Sequence, residues 1–168
     1  MPNNSGSGLW TNEKENFFGD RGITPKRQMG KHTISTVLSI LSGEKPEHFQ
    51  EKVNSQDPVS WSQSLEPFGM KLAYCPYDIR KVHFYMDELI SYNDLFLLHY
   101  YNKGSSVDDI MKDPDSGFVC GSHVVILHKD RIIDTKRGDF LLAKEHECMQ
   151  AHTKRIFRVV PANYKRGI

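Results

Sequence analysis

From residue 70 onward the chain breaks into short apolar runs separated by turn residues: "MKLAYCPYD", "DLFLLHYYN", "HVVILHK", "RIIDTK" and "RIFRVVP". Runs of this length, rich in β-branched and aromatic residues, have the pattern of strands. The first third of the chain has a different period. Ile34, Val37, Leu38 and Leu41 fall three and four apart, which places them on one stripe of a helix. Gly43 follows as a stop suited to a C-terminal cap. "KPEHFQEKV" starts a second short helix with Pro46 in its first turn, and "WSQSLEPF" predicts a third, closed by Gly69. One more helix, "VHFYMDELI", falls between the first two strands. Helices first and turn-linked strands after them predict an α+β domain, with N-terminal helices packed on a mostly antiparallel sheet. Within it, "HVVILHKDRIID" reads as a hairpin turning near Lys129 and Asp130. "KGSSVDDIMKDPDSG" is a polar loop with room for one helical turn. "FLLAKEHECMQAH" reads as a helix, and Pro161 ends the last strand.

A chain of 168 residues fits one domain plus an arm. Residues 1–27 are rich in Asn, Gly and Ser, with Trp10, Phe17 and Phe18 as their large apolar groups. That composition rarely folds alone, so we read it as an arm that docks through its aromatics on the domain, residues 28–168, or on a protein partner. The 22 basic and 21 acidic residues nearly cancel, which excludes a general nucleic-acid coat. Lys154, Arg155 and Arg158 leave a local basic patch near the end, readable either as a nucleic-acid contact or as the solvated flank of a strand. Cys75, Cys120 and Cys148 are too few and too scattered for a disulfide framework, and no CxxC pair supports a zinc site. No metal or cofactor is therefore expected, and a reducing compartment fits the free thiols. The sequence shows neither a signal-peptide pattern nor an apolar run of membrane-spanning length.

His123 begins one apolar run and Asp134 closes the next. In a hairpin those positions can share a face, where an aspartate fixes the tautomer of a histidine and stabilises its protonated form. That is what a base serving a nucleophile needs. A histidine and an aspartate at hairpin ends also serve simply as polar caps.

"SHVVILHKDRIIDT" resembles the "GHxVAVxxGxxxDT"-like hairpin of small papain-like-fold proteins of bacteriophages, which are related to cysteine peptidases. "HTISTVLSILSG" is similar to the helix that carries the nucleophile in that family, and "LEPFGMKLAYCPYD" to its link into a strand. The resemblance spans residues 28–135. It implies a papain-like fold with His123 as base, Asp134 as orienting acid, and a nucleophile at Thr33. Gln28 would stand where such enzymes keep an oxyanion donor. The family has cysteine where this chain has Thr33, and an internal threonine hydroxyl is far harder to ionise than a thiol. Taken by itself, Thr33 reads first as an ordinary helix N-cap. Cys148, flanked by His146 and His152, is the alternative nucleophile if Cys148 and His152 share a helix face. The resemblance thus implies a catalytically inactive phage protein that binds a partner or serves an assembly, in the host cytoplasm or the virion. The alternatives are an amide or peptide hydrolase using His123 and Asp134, and a nucleic-acid accessory protein.

Overall fold

The computed structural model describes residues 16–75, 78–102, 111–112, 119–165 and 167–168. These form an α+β structure around one antiparallel sheet. The strands are β1 (Met70–Cys75), β2 (Leu95–Asn102), β3 (Met111–Lys112), β4 (Val119–His128), β5 (Arg131–Asp134), β6 (Asp139–Leu142) and β7 (Thr153–Pro161). Six of them run in the order β1-β7-β2-β4-β5-β6, and the two-residue β3 pairs with the start of β4. The β4–β5 hairpin turns at Lys129 and Asp130, with His128 opposite Arg131 and Lys129 in the left-handed region at φ 60°.

Helices α1 (Thr33–Ser42), α2 (Glu47–Gln50) and α3 (Pro58–Leu65) cover one face of the sheet. Val37, Leu38, Phe49 and Trp61 pack there against Leu97, Val124, Ile126 and Phe157. Helix α4 (His83–Ser91) covers the other face, where Tyr85, Met86 and Leu89 meet Phe96, Leu98, Val125, Leu127 and Ile156. A sheet buried on both faces explains why Leu95–Leu98 in β2 and Val124–Leu127 in β4 read as continuous apolar runs rather than alternating ones. Each fully buried large side chain contributes roughly 1.5–3 kcal/mol relative to exposure.

The helix boundaries follow local chemistry. Asp57 caps α3 by accepting from the Val59 amide at 3.1 Å, with Pro58 at the first helical position. Gly43 ends α1 at φ 84°, and Gly69 closes the 3₁₀ turn after α3 at φ 80°. The single apolar stripe expected of α1 is too narrow, because every residue from Ile34 to Leu41 is buried. Its polar side is covered by the arm: Arg21 donates to the Leu41 carbonyl at 2.7 Å, and Lys26 donates to Ser39 Oγ at 2.6 Å.

The described part of the arm, from residue 16, docks on the domain. The amides of Phe17 and Phe18 donate to the two carboxylate oxygens of Asp94 at 3.0 and 2.8 Å. Arg158 grips the same carboxylate through Nε and Nη2, at 3.1 and 2.7 Å, and lies 4.6 Å over the Phe17 ring. Gly19 fits only because it has no side chain: a Cβ there would sit 2.2 Å from the Asn93 carbonyl oxygen. Trp10 and most of the 103–117 loop lie outside the described residues.

One expected helix is absent. Residues 140–152 form the end of β6, then two 3₁₀ turns, Ala143–Glu145 and Glu147–Gln150. The break is His146, whose backbone is extended at φ −79° and ψ 145° and whose side chain caps the second turn. Pairing of β6 with β5 further commits Asp139–Leu142 to strand geometry.

Candidate functional site

His123 and Asp134 meet as their hairpin positions suggest. Ile126 pairs with Ile133 and Leu127 with Ile132, so alternation puts His123 and Asp134 on the α4 face with Val125 and Leu127. His123 Nε2 lies 2.9 Å from Asp134 Oδ1. The other carboxylate oxygen is also taken. His146, from between the two 3₁₀ turns, donates from Nε2 to Asp134 Oδ2 at 2.8 Å. Its Nδ1 accepts from the Cys148 amide at 2.9 Å, which assigns His146 the neutral Nε2–H tautomer. The Lys136 amide adds a third donor to Asp134 Oδ1 at 3.0 Å. All three side-chain partners are 3% exposed. Burial by itself would raise the Asp134 carboxyl, but hydrogen bonds from His123 and His146 outweigh it and hold the group far below the usual carboxylate range. Tyr100 closes the cluster, its ring edge-on to His123 at 5.9 Å and to His146 at 6.4 Å.

A base in a nucleophile–base–acid chain gives one nitrogen to the acid and the other to the nucleophile. Nε2 of His123 is spent on Asp134, which leaves Nδ1. Among the described residues no hydroxyl or thiol hydrogen-bonds to that nitrogen.

Thr33 is elsewhere. It is the first residue of α1, which packs against Val124 and Ile126 on the opposite face of the sheet. His32 occupies the N-cap position. The Thr33 hydroxyl donates to Gln28 Oε1 at 2.9 Å, and the Thr135 hydroxyl donates to the same oxygen at 2.6 Å. The Gln28 amide donates to the Thr135 carbonyl at 2.7 Å, and its Nε2 donates to the Gly30 carbonyl at 2.7 Å. Gln28 thus ties the arm and the start of α1 to the end of β5. The sheet separates Thr33 from His123, because adjacent residues of β4 point to opposite faces.

Cys148 is fully buried, and its thiol is pushed up to about 12 by burial first and then by Asp134 and Glu147. A thiol so placed stays protonated at neutral pH and is a poor nucleophile. It shares no helix face with His152, which lies beyond the second 3₁₀ turn in an isolated bridge to Lys81. Cys75 and Cys120 are also buried. Among the described residues no group of three or more His, Cys, Asp or Glu side chains is arranged to hold a metal ion.

No family profile, curated protein or solved structure matches the chain.

The basic patch is divided by burial. Arg158 is wholly buried in its pair with Asp94, so its guanidinium does not face solvent, whereas Lys154 and Arg155 are partly exposed. Among the described residues no helix is long and apolar enough to cross a membrane. Two features escaped the sequence reading. His146 registers there only as a flank of Cys148, although it is the second partner of Asp134. His99, inside "FLLHYY", was passed over, yet it is 2% exposed, with Nε2 2.9 Å from Ser122 Oγ. A histidine embedded in an otherwise apolar strand was the available signal, since a buried imidazole requires partners.

Proposed function

We propose that the chain is a non-catalytic binding or structural protein on a papain-like plan, of the bacteriophage kind its sequence resembles. What supports that plan is the order of elements, a helix beginning at Thr33 and then an antiparallel sheet with His123 and Asp134 on neighbouring strands; the helix start and His123 do not share the face that an active member of the plan requires. The observation that carries the reading is the placement of Thr33 and His123 on opposite faces of the sheet. A carboxylate already shared by two imidazoles and an amide supports it, because such a cluster rigidifies a core rather than waiting for a substrate. The docked arm and the exposed side chains of Phe84, Phe140 and Leu142 supply surface for a protein partner.

The test is an activity screen of the whole protein with fluorogenic peptide and ester substrates and a cysteine-reactive probe. The expected result is no turnover and no labelling of Cys148, with His123→Ala lowering the melting temperature only. Turnover, or Cys148 labelling, that disappears in His123→Ala overturns the reading. It would favour instead an amide or peptide hydrolase, to which the 2.9 Å His123–Asp134 contact is the pointer.

A further inference from the structure

The α1 side of the sheet carries a second polar cluster. His99 on β2 faces this side, in ring contact with Trp61 at 5.7 Å between centroids. Its direct cross-strand neighbour on β7 is Arg155. Along β7, Ile156 belongs to the α4-side core and Phe157 to the α1-side core, so alternation turns Arg155 toward the α1 side, beside His99. The β2–β7 register slips between His99 and Tyr100, because Tyr100 pairs with Thr153 while His99 pairs with Arg155. Such bulges re-aim side chains and are common beside binding sites.

His99 is buried, and its Nδ1 has no hydrogen-bond partner among the described residues. Burial first, then the charges of Lys154 and Arg155, press the ring toward its neutral form, well below the usual histidine range. A neutral imidazole carries one N–H. Nε2 lies 2.9 Å from Ser122 Oγ, and where the hydroxyl donates in that bond the ring N–H sits on Nδ1 as a buried donor. A buried donor beside an arginine fork is complementary to an anionic oxygen.

We propose that His99 Nδ1–H and Arg155 form a site for a small oxyanion, a carboxylate or a phosphate, on the α1 side of the sheet. The site is separate from the His123–Asp134–His146 cluster, and it requires no catalysis. Arg155 supplies a planar pair of donors, and His99 supplies the donor at depth.

The experiment follows the ring nitrogens of His99 by ¹⁵N NMR in the whole protein during titration with sodium acetate, and separately with inorganic phosphate. Ionic strength is held constant with sodium chloride, which also serves as the control anion. A saturable shift of His99 is expected with at least one oxyanion and not with chloride, ending in the Nδ1–H tautomer. Arg155 is partly exposed, so Arg155→Gln should fold normally and weaken the binding by about tenfold or more. The tighter of the two probes tells a carboxylate-bearing ligand from a phosphate-bearing one. No saturable shift with either probe, an Nε2–H tautomer at saturation, or wild-type titration by Arg155→Gln each overturns the proposal.

Discussion

Asp134 accepts from two imidazoles and one backbone amide, so its replacement removes three charge-assisted bonds from a dry site. Asp134→Asn should destabilise the protein by roughly 2–3 kcal/mol at neutral pH, the usual range for hydrogen bonds to a charged group. The sign of its pH dependence follows from the depressed carboxyl. The folded state keeps Asp134 ionised where the unfolded chain has begun to protonate it, so its contribution is complete above about pH 4 and fades as the pH falls below that. Denaturant titrations at stepped pH should therefore show the gap between wild type and Asp134→Asn narrowing from about pH 4 toward pH 2. A gap that widens on acidification would contradict the assignment. Cys148 behaves in the opposite sense. Its thiol is raised to about 12, so the stability it confers holds below the unfolded thiol range and is lost as the pH climbs through the folded value. Under native conditions at pH 8, iodoacetamide should leave Cys148 unmodified, and denaturant should expose it. Mass spectrometry reads the difference.

Among the elements, the arm shows how much a short segment gains from one buried ion pair. Asp94 holds the Phe17 and Phe18 amides on one side and Arg158 on the other, and the Arg158 guanidinium stacks on Phe17. Asp94→Ala strips the carboxylate from the buried Arg158 guanidinium, which costs about 3–5 kcal/mol. Phe17→Ala leaves the ion pair intact, and losing its ring contacts costs a smaller ~1–2 kcal/mol. Urea denaturation should rank the two variants in that order, and limited proteolysis should cut near residue 20 faster in both. The other elements divide by how local their causes are. The C-terminal ends of α1 and of the α3 segment were legible because Gly43 and Gly69 act within a few residues of themselves, whereas α3 starts at Pro58 under an Asp57 cap, three residues ahead of the expected Trp61. Residues 140–152 were not, because the strand partner of β6 and the bond from His146 to Asp134 both lie outside that window.

For the whole molecule, two apolar layers share one sheet. Leu38 lies in the α1-side layer and Met86 in the α4-side layer, and both are fully buried. Leu38→Ala and Met86→Ala should each cost roughly 2–5 kcal/mol and each shift a single cooperative unfolding transition, because β2, β4 and β7 belong to both layers. Two separated transitions, seen by calorimetry and by fluorescence, would show that the layers melt independently. The periods and turn residues of the chain were enough to assign an α+β class, most strands, the hairpin, and the meeting of His123 with Asp134. These depend on side-chain alternation and neighbours along the chain. Which face of the sheet each polar group occupies was decided only by the fold. A one-residue difference in strand phase sends His123 to the α4 side and Ser122 to the α1 side, and only packed helices tell the two sides apart. Placing β7 between β1 and β2 brought Arg155 beside His99 and Arg158 beside Asp94, contacts between residues far apart in the chain that no local pattern encodes.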